Sequence, residues 1–375
     1  MFEINPEFAI AYSKFVTILV CSWPPYKDVS MCQKALFTIK WWISWLLGMC
    51  LVIPLVYAAY IDRKNVLEFT KSLCLAVACF QCMIKMLLCK FQHQRFQYLL
   101  EEMETYVKSA ASYERETFLG YIRDCGMVHV TLNVFALLGS VGVILGPAIL
   151  PQKFPTDAKY PFAVTNHPIY DIVYFDQAYA GILCSSITAI DCQLAMLLWY
   201  SVARLEILGL EMKKIDCNKQ LYKCIRKHQF LLRFIGEVIS AGKYIVATTV
   251  IMTTLAVILG GVHIVGNQPT VVKLQFVVVV GGLSMLLYVT AWPSEMLVRM
   301  SEKIGWEIYC SQWLKNSKKL NQSIEMIIQR SNKPLTISVT GVVPSLSLNY
   351  YATFLSKSLS YFTTLRVMLA KIEND

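Results

Sequence analysis

The chain has 375 residues, 56% of them hydrophobic and 16% charged, with a mean hydropathy of +0.48. Soluble domains sit near ~45–50% apolar and ~25% charged, so this composition excludes disorder and argues against a soluble enzyme. The formal charge of +10 does not mark a nucleic-acid binder: Lys and Arg gather between apolar runs, and neither zinc-finger spacing nor a basic face interleaved with aromatics occurs.

A bilayer-crossing helix needs about 20 largely apolar residues. Seven stretches qualify, near 38–60, 68–90, 126–150, 177–203, 243–266, 272–297 and 344–369. The expected fold is therefore all-α, a polytopic membrane protein with seven transmembrane helices. The first span carries Trp41, Trp42 and Trp45 at one end and Tyr57 and Tyr60 at the other, as interfacial aromatic belts do. The start, MFEINPEFAI, has no basic stretch followed by an apolar core, so no cleavable signal peptide is expected. With the N-terminus inside, 24 Lys and Arg fall in inner segments and 7 in outer ones. That asymmetry predicts a cytoplasmic N-terminus and an extracellular C-terminus.

The stretches 90–125 and 204–242 are too long and too periodic for plain turns. In the second, Leu221, Ile225, Phe230, Leu231, Phe234, Ile235 and Val238 recur at helical spacing. Residues 296–314 repeat the pattern with Met300, Ile304 and Ile308 on one stripe and Trp306, Tyr309 and Trp313 on the next. Either the spanning helices extend inward and pack on one another, or amphipathic helices lie on the membrane surface. The first reading gives inner helix extensions packed together in the cytoplasm, which the family resemblance given below casts as a cytoplasmic anchor domain.

No enzyme site is expected. The five histidines are isolated, and no HExxH, no carboxylate pair at helical spacing on a membrane face and no Gly-rich phosphate loop occurs. No metal and no cofactor are therefore expected. The 13 cysteines lie mostly within apolar runs and suit small packing residues better than disulfides. Intramembrane charges are costly enough to be functional candidates. Lys85 sits near a span end and is expected to snorkel to the interface, whereas Asp191, in mid-span, needs a partner. In the last span hydroxyls recur at Ser345, Ser347, Thr353, Ser356, Ser358, Ser360, Thr363 and Thr364. Such a helix is either enclosed by others within one subunit or lines water. At 100° per residue Lys357, Tyr361, Thr364 and Met368 share one stripe.

The C-terminal stretch RSNKPLTISVTGVVPSLSLNYYATFLSKSLSYFTTL, with its SLSYF core at 358–362, resembles the most distinctive segment of the insect odorant receptors. WPSEMLVRMSEKIGWEIYCSQW resembles the family's pattern after the sixth span. YPFAVTNHPIYDIVYFDQ resembles its second outer loop, and CIRKHQFLLRF the inner loop before the fifth span. These cover most of the chain from residue 160 onward, in order; the N-terminal third matches in topology only.

The resemblance implies an odorant-gated, non-selective cation channel subunit. It would sit in the plasma membrane of an olfactory neuron dendrite and form a heterotetramer with a shared odorant co-receptor around a central pore. The short 204–242 stretch lacks the co-receptor's insertion and points to an odour-tuning subunit. The implied organisation is six helices with an odorant-binding bundle in the outer half (1–297), an anchor segment (298–343) and a pore-lining last helix with an extracellular tail (344–375). The family's pore gate carries over to Thr364 and Met368, beside Lys357 and Tyr361. The implied odorant pocket takes Leu75, Cys79, Phe80 and Met83; Val141, Ile144 and Leu145; Tyr179, Leu183 and Ile187; and Phe276, Val280 and Ser284. Its lining suits a small apolar, aromatic-tolerant volatile with at most one polar contact. Membrane lipid is the other expected partner. The rival readings are a G-protein-coupled seven-helix chemoreceptor, opposed by the charge asymmetry, and a gustatory-branch channel, whose closing Tyr…Gln-Phe ending is missing here.

Overall fold

A computed structural model describes residues 5–149, 152–164, 166–215, 218–266, 269–311 and 318–372. The helices in chain order are α1 (Pro6–Val16), α2 (Met31–Ile61), α3 (Val66–Phe91), α4 (His93–Ser109), α5 (Ser112–Ile144) and the short α6 (Gly146–Ile149). They continue with α7 (Ile169–Ser185), α8 (Ile187–Lys213), α9 (Asn218–Val265), α10 (Thr270–Tyr309), α11 (Lys318–Ser331) and α12 (Leu348–Ile372).

Local chemistry sets several boundaries. Ser30 Oγ accepts from the Gln33 amide at 3.4 Å to open α2, and Asn65 Oδ1 accepts from the Leu67 amide at 3.2 Å to open α3. At α5 the Ala111 amide donates to the Glu114 carboxylate three residues on, at 2.8 Å. Before α12 the chain runs extended through a tight turn, where Val339 and Val343 exchange backbone hydrogen bonds of 2.7 and 2.9 Å. Gly341 has φ +81° in that turn, a conformation that costs other residues a clash with their own Cβ.

Six stretches among the described residues are long and apolar enough to cross a membrane: α2, α3, α5, the α7–α8 pair, α9 and Val272–Tyr309 of α10. The seventh expected span, α12, falls short because its hydroxyls, with Lys357 and Arg366, dilute its apolar content. The fourth expected span divides at Ser185–Ser186. There both hydroxyls donate to the Ile182 carbonyl, at 2.7 and 3.0 Å, a local competition with the helix ladder that bends helices. Nor do the helices stop at the predicted span ends. α9 runs 48 residues, about 72 Å, more than twice the ~30 Å bilayer core.

α8 is the axle of the fold, buried from Ile187 to Met212 over nearly its whole length and packed on α9 and α10. α5 is the opposite case. It buries Glu114, Phe118 and Cys125 and leaves Met127, Val134, Phe135 and Leu138 exposed, an apolar face suited to lipid. Near the α1–α4 end, Arg115 pairs with Glu7 at 2.6 Å, Arg95 with Glu237 at 2.6 Å and Lys227 with Glu211 at 2.5 Å, tying four pairs of segments together with the Tyr121–Glu206 hydrogen bond. The cysteines among the described residues are free, and most are buried as packing groups.

Candidate functional site: a buried bundle and an uncovered helix face

Gly48 of α2 makes room for two of the expected pocket residues. A Cβ at this position would stand 2.4 Å from Met83 Cε, 2.5 Å from its Sδ and 3.4 Å from Leu183 Cδ2. One turn away, the Ser44 and Tyr179 hydroxyls are 2.7 Å apart and hydrogen-bonded. Trp45 Nε1 donates to the Met83 carbonyl at 3.4 Å, and the Cys82 thiol to the Leu183 carbonyl at 3.5 Å. Cys79, Met83, Leu183 and Ile187 are buried here, with Leu75 and Tyr179 partly buried against them. Ile144 joins at the edge, where its Cγ1 lies 3.9 Å from the position a Cβ at Gly181 would take.

A second group forms where α10 crosses α9. Phe276, Val280 and Ser284 step by four along α10, and all three are buried. Gly260 admits them: a Cβ there would meet Val280 Cγ2 at 2.8 Å and Phe276 Cδ1 at 3.4 Å. The Phe276 ring stacks on His263 with centroids 4.1 Å apart, and His263 Nε2 is 3.0 Å from Thr70 Oγ1, which joins α9 to α3. Ser284 Oγ donates to the Val280 carbonyl at 2.8 Å, so its hydrogen is held within its own helix. The remaining expected residues stand apart. Phe80, Val141 and Leu145 are 43%, 39% and 50% exposed and lie on the outer surface of this chain. Ser44, Gly48 and His263 complete the two groups and escaped sequence reasoning, whereas Gly260, in a Gly-Gly pair that reads as interhelical packing, is such a packing glycine. A glycine and a serine in an apolar run are the only signals Gly48 and Ser44 leave, and those fit plain helix packing equally well.

Lys85 does not snorkel. Both Lys85 and Asp191 are fully buried, Lys85 Nζ lies 2.6 Å from Asp191 Oδ2, and Thr249 Oγ1 donates to Asp191 Oδ1 at 3.2 Å. The partner that Asp191 requires is thus the lysine itself. With α3, α8 and α9 packed round it, the chain offers the ammonium no path to water, and pairing replaces hydration. This triad joins three helices between the two groups above and the charged end of the molecule.

α12 packs one face on α9 and α10, burying Phe354 and Ser358 with Tyr351, Leu355 and Phe362 beside them; the Tyr351 and Tyr288 rings lie 5.5 Å apart. Up to Thr364 the opposite face is uncovered and mostly polar, with Leu359 the large apolar side chain on it. Thr353, Ser356, Lys357, Ser360, Tyr361, Thr363 and Thr364 are all exposed, and Thr364 Oγ1 donates back to the Ser360 carbonyl at 3.0 Å. Of the expected pore stripe, Lys357, Tyr361 and Thr364 therefore face away from their own subunit. Met368 falls on the same helix, but its side chain lies outside the described residues. Among the described residues no group of His, Cys, Asp and Glu is arranged to hold a metal ion.

Long apolar helices around a buried bundle, with one polar helix face uncovered, define a multi-pass helical membrane protein. The family model of the 7tm odorant receptors matches residues 65–356, and the chain belongs to that family. Odorant receptor 13a of Drosophila melanogaster is 19% identical over 92% of both chains. Odorant receptor 10 of Aedes albopictus is 25% identical over 40% of each. The fold is that of the olfactory receptor OR5 of Machilis hrabei, with a TM-score of 0.83 at 17% identity over 96% of this chain and 98% of that one. The same receptor solved in complex with eugenol gives 0.82 at 16% identity over the same shares. The chain is a receptor rather than an enzyme, as its family is.

Proposed function

We propose that this chain is an odour-tuning subunit of an odorant-gated, non-selective cation channel, working in the plasma membrane with a shared co-receptor. The observation that carries the reading is the uncovered hydroxyl-rich face of α12. A polar surface of this extent is costly against hydrocarbon, and neighbouring subunits with water between them would satisfy it. In this reading Thr364 and Met368 close the pore, Lys357 sits where the cavity widens, and the N-terminus is cytoplasmic with the C-terminus outside.

The odorant would bind between the Met83–Tyr179–Leu183 group and the Phe276–Val280 group. Both are mainly apolar, with the Ser44–Tyr179 and Thr70–His263 pairs the polar contacts within reach. A small aromatic volatile fits that chemistry, and eugenol, held by the Machilis hrabei receptor, is such a molecule. Binding would open the pore only through tighter binding to the open state.

Whole-cell recording in a heterologous cell with G-protein signalling blocked tests this. A fast cation current evoked by volatiles only when the co-receptor is co-expressed is the expected result. A response that needs G-protein signalling and vanishes under block would contradict it.

A further inference from the structure

The function above makes no use of a cavity at the other end of the bundle, where α1 lies across α4, α5 and α8. Its volume is about 290 Å³, near the lower end of the ~300–1,000 Å³ typical of small-molecule sites. Ile10, Phe118, Cys125, Met196 and Tyr200 give it an overwhelmingly apolar wall. Phe8 and Met127, 61% and 75% exposed, form an apolar rim on the surface that α5 presents to lipid.

Two polar groups in this wall are anomalous. Ser13 and Trp199 are 7% and 5% exposed, yet Ser13 Oγ and Trp199 Nε1 have no hydrogen-bond partner. A buried donor left unmade costs about 1–3 kcal/mol, and native structures seldom tolerate one without a reason. Of the other polar groups in the wall, Asn133 is engaged: its Nδ2 donates to the His129 carbonyl at 2.8 Å, and its Oδ1 accepts from Thr188 at 2.8 Å, while Tyr12 and His129 line the cavity beside it.

We propose that this cavity is a second binding site, for a small membrane-dissolved lipophile carrying one acceptor oxygen, such as an alcohol, phenol or ketone. The indole N–H can only donate and the serine hydroxyl can also donate, so together they ask for an acceptor. The rest of the wall asks for hydrocarbon. A phospholipid acyl chain would fill the apolar part and leave both donors orphaned, and a bulky amphiphile exceeds the volume. The apolar rim supplies the route of entry, from the bilayer rather than from water. An occupant would bridge α1 to α5 and α8, and through α8 it would touch the helix that carries Asp191.

The test is photolabelling of the full chain in phosphatidylcholine nanodiscs with a diazirine-bearing 1-octanol, mapped by peptide mass spectrometry. The expected label falls on residues 6–16, 118–130 and 192–200. 1-Octanol should displace it at least ten-fold more effectively than n-octane, and Ser13→Ala/Trp199→Phe should weaken labelling there about ten-fold while labelling elsewhere is unchanged. Ser13→Ala alone, which removes one oxygen, should weaken it several-fold and guards against misfolding of the double variant. Label missing from these helices would overturn the proposal. So would displacement by octane and octanol alike, the signature of an acyl-chain groove, or indifference to Ser13→Ala. Since the readout is binding and not current, it stands or falls apart from the channel reading.

Discussion

Lys85 and Asp191, both fully buried, pair across α3 and α8 with Nζ and Oδ2 2.6 Å apart. Both charges are conspicuous in apolar runs, and the need of Asp191 for a partner follows from sequence. That the partner is Lys85, 106 positions away, requires the packing of α3 against α8. Removing one member leaves the other buried and unpaired, at about 3–5 kcal/mol. Lys85→Met or Asp191→Asn should therefore lower the thermal midpoint of the detergent-solubilised protein sharply, and Lys85→Met/Asp191→Leu should recover most of the loss. Single variants that melt with the wild type would show that the pair is dispensable. At the odorant site, Tyr179→Phe removes the hydroxyl bonded to Ser44, and Phe80→Ala alters a residue on the outer surface. The first should shift odorant rank order several-fold in a dose–response panel and the second should leave it alone. The reverse pattern would move the pocket.

Elements were more legible than contacts, for a physical reason: apolar length and 3.6-residue periodicity are written locally, whereas kinks and docking surfaces are not. The amphipathic pattern of residues 221–238 marks the helix that the structure extends through α9. The Ser185–Ser186 bend was not legible, because two adjacent serines in an apolar run read equally well as packing. α1 escaped altogether, since 11 residues with a single acidic anchor, Glu7, give no span-like signal. Helix crossings depend on glycine in a way that can be tested. Gly260→Ala places a methyl 2.8 Å from a stiff valine, an overpacking worth about 1–3 kcal/mol, and should lower the melting midpoint. Gly281→Ala on α10 meets nothing within 4 Å, and alanine's better helix propensity should leave the midpoint equal or slightly higher. Equal losses from both would mean that backbone freedom, rather than close packing, governs these positions.

For the whole molecule, composition excludes disorder and argues against a soluble enzyme, and the ordered C-terminal segments carry the family resemblance that the family model bears out over residues 65–356. What a sequence does not display is which face of a polar helix its own fold leaves uncovered. α12 illustrates this: its hydroxyls read either as an enclosed helix or as a water-lining one, and the fold leaves Lys357, Tyr361 and Thr364 exposed on the chain's own surface. In the proposed channel, a bulkier apolar residue at the constriction makes it drier, so Thr364→Leu should lower conductance or basal current in co-expressing cells. Unchanged current amplitudes and single-channel openings would remove Thr364 from the pore.

Cysteine accessibility along α12 separates a water-lining helix from one packed within its own subunit. Thr364→Cys and Ser358→Cys would each be co-expressed with the co-receptor, opened by an activating volatile and exposed to a charged, thiol-reactive methanethiosulfonate, with the wild-type chain controlling for its own cysteines. A pore-lining α12 gives rapid block of the odorant-evoked current for Thr364→Cys and none for Ser358→Cys, which is buried against the same subunit. An odorant current that persists unblocked through reagent-modified Thr364→Cys channels would contradict it.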